Sequence, residues 1–246
     1  MAGKRLVLQA VAGQCPTIDV SAPYAVAYAI RTGADYTLRR EENHTAPGLS
    51  KPHFVKRCLD HYCKYYDQVL WLDADVIARP SAPDIFAAVP VGSFGAWCQE
   101  GEINQDSTPP HPLYRHGYFN SGVMVCPRAF AGLMARAEHL SLNRAALMTP
   151  LERARMLWDQ TPLNRAVHDA GLPVVALDIR WNHHQSPGRC RQWGFPPLQD
   201  AYFPHFAGGH NLPQNESTTA AQRQDQDMRA QQMRDWMRVN MPGELL

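Results

Sequence analysis

The reading of this chain turns on Asp67-Gln68-Val69-Leu70-Trp71-Leu72-Asp73-Ala74-Asp75-Val76-Ile77. Val69 to Leu72 is a short unbroken apolar run, the pattern of a strand covered on both faces. It stops at two carboxylates. Spaced two apart, Asp73 and Asp75 would project to one side of an extended chain. Two unpaired anions at the end of a core strand are costly. A hard divalent cation removes that cost, and oxygen ligands suit Mn²⁺ or Mg²⁺ with part of the shell left for phosphates. A bare Asp-x-Asp is common as a cap or a turn; apolar sequence on both sides sets this one apart. The carboxyl end of a buried strand is also where open α/β sheets bind ligands.

Composition narrows the field. A chain of 246 residues holds one large domain or two small ones. Hydrophobic residues make up 45%, enough for an ordinary core, and a net charge of +1 offers no global field to draw in nucleic acid or an anionic membrane. The cysteines Cys15, Cys58, Cys63, Cys98, Cys126 and Cys190 form no C-x-x-C pair. They read as reduced thiols of a cytoplasmic protein rather than a zinc site or a disulfide framework. Lys4-Arg5 followed by Leu6 to Ala12 has the outline of a signal peptide, but Gln9 interrupts it, and a first core strand is the better reading. No run reaches the ~18 apolar residues of a membrane span.

Working outward, Arg5 to Val11 reads as the first strand, and the small residues Ala12 and Gly13 after it let a ligand approach the backbone. A helix follows, with Ser21 as N-cap, Pro23 in its first turn and Gly33 as C-cap. With a strand over Ala34 to Leu38 this is a βαβ unit, which implies a parallel sheet. A helix from about Pro52 to Tyr66 would lay Phe54, Cys58, Tyr62 and Tyr65 or Tyr66 on one face. It carries Lys56 beside the Asp-rich strand, within reach of a substrate phosphate. Ser93 to Cys98 is a further strand. Glu100 to Gly117 is polar and stiffened by Pro109, Pro110 and Pro112, and is assigned to a lid on the acceptor side.

Three later stretches carry chemistry. Asn120-Ser121-Gly122 presents an amide, a hydroxyl and open backbone at the start of a strand over Val123 to Cys126; such a triplet also makes turns. Asp159-Gln160 opens a helix in which Asp159 suits the N-cap and Pro162 the first turn. His205 lies between Phe203 and Phe206 and just before Gly208-Gly209, whose backbone lets a phosphate come close. Leu172 to Leu177 is an apolar strand, followed by Trp181-Asn182. From Leu212 onward the chain turns polar and Gln-rich. Thr218 to Arg238 reads as a helix with a thin stripe of Met228, Met233, Trp236 and Met237, expected to pack on the domain or to serve a homodimer.

In this order the stretches resemble the GT-A glycosyltransferases, in particular the glycogenin and galactosyltransferase-like family 8. The likeness runs from about Leu6 to Gly209. It implies an α/β GT-A fold over residues 1–212, a mainly parallel twisted sheet flanked by helices, with 213–246 as a helical extension. It implies a hexosyltransferase that moves a sugar from a nucleotide-diphosphate sugar, a UDP-sugar first, to an acceptor hydroxyl with retention. Asp73, Asp75 and His205 are then the ligands of Mn²⁺ or Mg²⁺. Asn120, Asp159 and Gln160 lie beside the transferred sugar. Ala10, Val11, Ala12 and Gly13 hold the nucleoside, and Lys56 and Ala74 line the donor pocket.

The chain departs from the pattern after residue 205, where relatives carry Lys-Pro-Trp and this sequence reads Gly208-Gly209-His210-Asn211-Leu212-Pro213. Gly208 and His210 become the expected diphosphate contacts. The acceptor, whether glycan, lipid, protein or nucleotide, stays open. Two rivals stand beside this reading. A sugar-phosphate nucleotidyltransferase would need a basic glycine-rich loop where Ala12-Gly13-Gln14-Cys15-Pro16 stands. A non-catalytic relative would bind the sugar nucleotide without transferring it.

Overall fold

The computed structural model describes residues 3–41, 55–98, 117–154, 159–184, 190, 194–207 and 219–244. Six strands form one sheet: β1 (Arg5–Ala12), β2 (Asp35–Glu41), β3 (Gln68–Leu72), β4 (Phe94–Cys98), β5 (Phe119–Pro127) and β6 (Val174–Leu177), in the order β2-β1-β3-β5-β4-β6. β1 pairs in parallel with β2 and with β3, and β4 in parallel with β6, while β5 runs against both β3 and β4. Among the described residues the helices are α1 (Pro16–Thr32), α2 (Cys58–Tyr62), α3 (Ile85–Ala88), α4 (Leu133–Leu142), α5 (Arg144–Leu147), α6 (Pro150–Ala154), α7 (Gln160–Asp169) and α8 (Thr219–Asn240).

The unbroken apolar runs follow from burial on both faces. Leu6, Leu8, Val69 and Trp71 pack on one side with Leu59, with Met134 and Ala137 of α4 and with Leu163 of α7. Val7, Leu70 and Leu72 pack on the other with Ala25, Tyr28 and Ala29 of α1 and with Phe203. Alternate residues of one strand feed opposite layers, so both sets are apolar over these runs.

Local expectations shift in four places. α1 starts at Pro16, with Cys15 rather than Ser21 at its N-cap, so Ser21 is buried mid-helix and Pro23 is interior. Gly33 ends the helix in the left-handed conformation, φ 65°, as a C-cap should. Of the helix expected over residues 52–66, residues 55–56 and α2 are helical, with turns at 57 and 63–65; Tyr66 packs on the core and Tyr65 is exposed. β5 begins at Phe119, so Asn120-Ser121-Gly122 is strand and not a turn. Asp159 makes no capping hydrogen bond at the head of α7.

α8 lies on α1. Its Met233 and Met237, with Met241, are buried against Val20, Tyr24 and Ile77, while Met228 is exposed. Beyond it, Glu244 is tied to the segment after β3: Arg79 Nη2 lies 2.6 Å from its Oε1, and Ser81 Oγ donates to its Oε2 at 2.8 Å. Among the described residues no helix is long and apolar enough to cross a membrane.

Candidate active site

Asp73 follows directly on β3. Its N–H donates to the Gly122 carbonyl at 2.9 Å, extending the ladder between β3 and β5 by one bond. The chain then turns, closed by Val76 N–H donating to the Asp73 carbonyl at 3.1 Å. The two carboxylates therefore converge through a turn, and not through the strand alternation their spacing suggests. Two buried polar residues hold that turn in place. Ser21 Oγ donates to the Ala74 carbonyl at 2.8 Å, and Gln9 Nε2 lies 3.4 Å from the Asp73 carbonyl and 3.2 Å from Ser21 Oγ. Gln9 Oε1 accepts from Tyr36 Oη at 3.1 Å. The residue that interrupts the apolar run of β1 is a brace for the Asp73–Asp75 turn.

Backbone pairing brings position 205 to this turn. Ile77 N–H donates to the Pro204 carbonyl at 3.0 Å and Phe206 N–H to the Asp75 carbonyl at 2.9 Å. On the far side, His205 N–H donates to the His183 carbonyl at 2.9 Å and His183 N–H to the Phe203 carbonyl at 3.1 Å. The imidazole lies over Gly122: a Cβ at that position would stand 2.4 Å from His205 Cε1. His205 Nε2 lies 3.3 Å from Asp75 Oδ1, and one ligand atom from each of Asp73, Asp75 and His205 falls within 4.8 Å of the others.

A chain of amides orients the ring. Gly122 N–H, which can only donate, gives to Asn120 Oδ1 at 2.9 Å. Asn182 therefore turns its Nδ2 to that same oxygen, at 2.8 Å, and its Oδ1 to His205 Nδ1, at 2.8 Å. Nδ1 must then carry the proton, which leaves the neutral ring with a lone pair on Nε2. That lone pair faces a carboxylate oxygen. Two acceptors aimed at each other, with a second carboxylate beside them, suit a cation, and an amide fixing the far nitrogen is the usual outer support of a metal-bound histidine. The three residues fit a hard divalent ion.

The second feature is a buried ammonium. Lys56 is 1% exposed, with Nζ 3.1 Å from Asp73 Oδ1 and 2.9 Å from Asp159 Oδ2, over the Trp71 ring at 5.4 Å. Burial alone would lower its pKa; the two carboxylates outweigh that and hold it above the ordinary lysine value. Asp73, which also accepts from Trp71 Nε1 at 2.7 Å, has its carboxyl pushed up by burial, with Lys56 pulling down and Asp75 adding to the rise. Burial acts upward on Asp75 too, but its contacts with His205 and the Arg229 guanidinium outweigh it and hold the carboxyl below the usual range. Lys56 is thus committed to two carboxylates and joins Asp73 to Asp159.

Asp159 is 4% exposed and also accepts from Ser121 Oγ at 3.0 Å, while Ser121 N–H donates to Gln160 Oε1 at 3.3 Å. Asn164 locks α7 to β5 by exchanging two 2.9 Å hydrogen bonds with the Phe119 backbone. Asp159 and Gln160 are held at the edge of β5 next to Asn120.

The backbone end of β1 completes a cleft. Ala10, Val11 and Ala12 line it with Lys56, Asp73, Ala74 and Asp75, and Gly13 turns the chain away at φ 68°. Gln226 and Arg229 of α8 line it as well. Gly208 and His210, and the lid expected over 100–117 apart from Gly117, lie outside the described residues. Sequence reasoning gave no role to Asn182, although Trp181-Asn182 belonged to the resemblance, nor to Gly122 as the seat of the ring. It passed over Arg229, one charge among many on a polar helix.

No family model matches the chain, and no curated protein matches it. Solved structures do. A glycosyltransferase involved in glycosylating the major capsid of PBCV-1 matches at TM-score 0.55 and 15% identity, over 84% of this chain and 96% of that one. The galactosyltransferase LgtC, solved with donor and acceptor sugar analogues, matches at TM-score 0.51 and 14% identity, over 92% and 95%. The glycosyltransferase GlyE of Streptococcus pneumoniae matches at TM-score 0.50 and 13% identity, over 95% and 63%. The mixed six-stranded sheet described above, flanked by its helices, matches the GT-A fold of these glycosyltransferases.

Proposed function

We propose that this protein is a metal-dependent glycosyltransferase that moves a sugar from a nucleotide-diphosphate sugar, a UDP-sugar in the first instance, to an acceptor hydroxyl with retention of configuration. One observation carries the reading: His205 Nε2 lies 3.3 Å from Asp75 Oδ1 with Asp73 beside it, at a cleft lined by the end of β1. Residues from three distant parts of the sequence are held there by separate braces, which a turn or a helix cap does not require.

In this reading Asp73, Asp75 and His205 hold Mn²⁺ or Mg²⁺, and Ala10 to Gly13 receive the nucleoside against open backbone. The bound ion supplies positive charge for the diphosphate as it leaves. Lys56 keeps Asp73 and Asp159 at fixed separation. Asp159, anchored by Ser121 and Lys56, presents negative charge toward the sugar carbon as it becomes electron-poor. Gln160 and Asn120 orient the sugar from the same strand edge. Asn120 Oδ1 is taken by Gly122 and Asn182, so its Nδ2 end is what it offers to a hydroxyl.

The test is release of nucleoside diphosphate. Purified protein is incubated with UDP-glucose, UDP-galactose or GDP-mannose, with Mn²⁺ and then with EDTA. Release that needs the ion and is lost in Asp73→Ala supports the reading. Asp159→Asn is expected to lower turnover by about 10²-fold or more while leaving UDP affinity within a few-fold. No release from any donor, together with unchanged nucleotide affinity in Asp73→Ala, rules the transferase out.

A further inference from the structure

The cleft has a wall that does not come from the strands. α8 is held on α1 by Met233 and Met237, and Glu244 beyond it is tied to Arg79 and Ser81. So mounted, it points Arg229 at the metal-ligand turn. Arg229 Nη1 lies 3.1 Å from Asp75 Oδ2, and Nη2 pairs with Asp225 one turn back along the helix. Arg229 Nε is buried and, among the described residues, has no hydrogen-bond partner.

Asp75 divides its oxygens. Oδ1 faces His205 Nε2, on the side that suits a cation, and Oδ2 holds Arg229. The guanidinium therefore stands one carboxylate away from the ligand face, on the α8 wall of the cleft. The cleft-lining cations among the described residues are Lys56 and Arg229, and Lys56 is enclosed between Asp73 and Asp159. A group with two or more negative charges entering this cleft meets one guanidinium with a donor left to give. Arginine's planar fork suits phosphate oxygens, and a buried unmatched N–H is costly until something accepts from it.

We propose that Arg229 is a direct contact of the donor diphosphate, which makes α8 a working part of the donor site rather than an appendage. This rests on the donor reading above. Asp75 then serves both partners, holding the ion through one oxygen and aiming the guanidinium with the other.

The test compares Arg229→Gln, Arg229→Lys and, as a control for charge lost from the same helix, Arg238→Gln, whose side chain is largely exposed. Titration calorimetry with Mn²⁺ present measures the affinity of UDP and of uridine for each full-length protein, and paramagnetic resonance measures Mn²⁺ alone. Arg229→Gln is expected to weaken UDP about tenfold or more, to change uridine and Mn²⁺ less than threefold, and to be partly rescued in Arg229→Lys. Arg238→Gln is expected to match the parent. UDP affinity within twofold of the parent in Arg229→Gln overturns the proposal. So does an equal loss for UDP, uridine and Mn²⁺, which would make Arg229 a structural strut. If the parent itself binds neither UDP nor GDP with Mn²⁺, the donor reading fails first and this proposal with it.

Discussion

Asn182 Oδ1 accepts from His205 Nδ1 at 2.8 Å while Asn182 Nδ2 donates to Asn120 Oδ1 at 2.8 Å. One fully buried amide thereby ties Asn120 to His205 and places the proton of the neutral imidazole on Nδ1. In Asn182→Ala the ring loses its tautomer constraint. Mn²⁺ affinity is expected to fall about 10- to 100-fold, read by paramagnetic resonance. Affinity unchanged in a folded variant would show that the amide does not orient the ligand.

Gly122 makes room for the same ring. A Cβ there would stand 2.4 Å from His205 Cε1, 2.8 Å from Nδ1 and 3.1 Å from Asn120 Oδ1, and the ring is held in place at Nδ1 by Asn182. Gly122→Ala is expected to cost about 1–3 kcal/mol of stability and to lower Mn²⁺ affinity at least about tenfold. The far-UV spectrum stays that of the parent, because the strand conformation itself admits alanine. A variant that binds Mn²⁺ as the parent does would mean the ring settles elsewhere without loss.

Lys56 stands between two carboxylates that fold against each other through it. Lys56→Met leaves Asp159 buried without its cation and should destabilise the ion-free protein by about 3–5 kcal/mol, measured by urea unfolding in EDTA. Added Mn²⁺ is expected to recover part of that loss by binding the folded state. Equal midpoints for parent and variant in EDTA would refute the assignment.

Glu244 contributes with a definite pH dependence. Burial acts to raise its carboxyl, but hydrogen bonds from Arg79 and Ser81 outweigh that and hold it below the ordinary value. A carboxyl whose pKa is lowered by folding stabilises fully above the unfolded value of about 4.3. That stabilisation is lost as pH falls through this value toward the folded one. Glu244→Gln should therefore melt lower than the parent at pH 7, by the equivalent of about 1 kcal/mol, with the gap closing below pH ~4. A gap that persists undiminished at low pH would show that shape, not charge, is what Glu244 contributes.

The strands were legible from the chain because their constraint is local. Val69 to Leu72 is buried on both faces, so every residue must be apolar, and no polar alternative folds. The ends of β1 and α1 were readable from Ala12-Gly13 and Gly33 for the same reason, since backbone freedom belongs to the residue itself. Ser21 was misread because its pattern fits an N-cap locally, whereas its partner, the Ala74 carbonyl, lies 53 residues away. Asp159 likewise looked like a cap until Lys56 and Ser121 arrived from elsewhere in the chain.

By itself, then, the amino-acid order determined the α/β sheet, the paired acids after β3 and the candidate status of His205, Asn120, Asp159 and Gln160. Only the tertiary structure decided that Asp73 and Asp75 converge through a turn, that Asn182 sets the His205 lone pair, that Lys56 is enclosed and that α8 brings Arg229 to Asp75. Hydrophobic periodicity is written along a chain, one residue after the next. The direction of a buried hydrogen bond or ion pair depends on which distant donor is nearest, and that is settled only when the layers close.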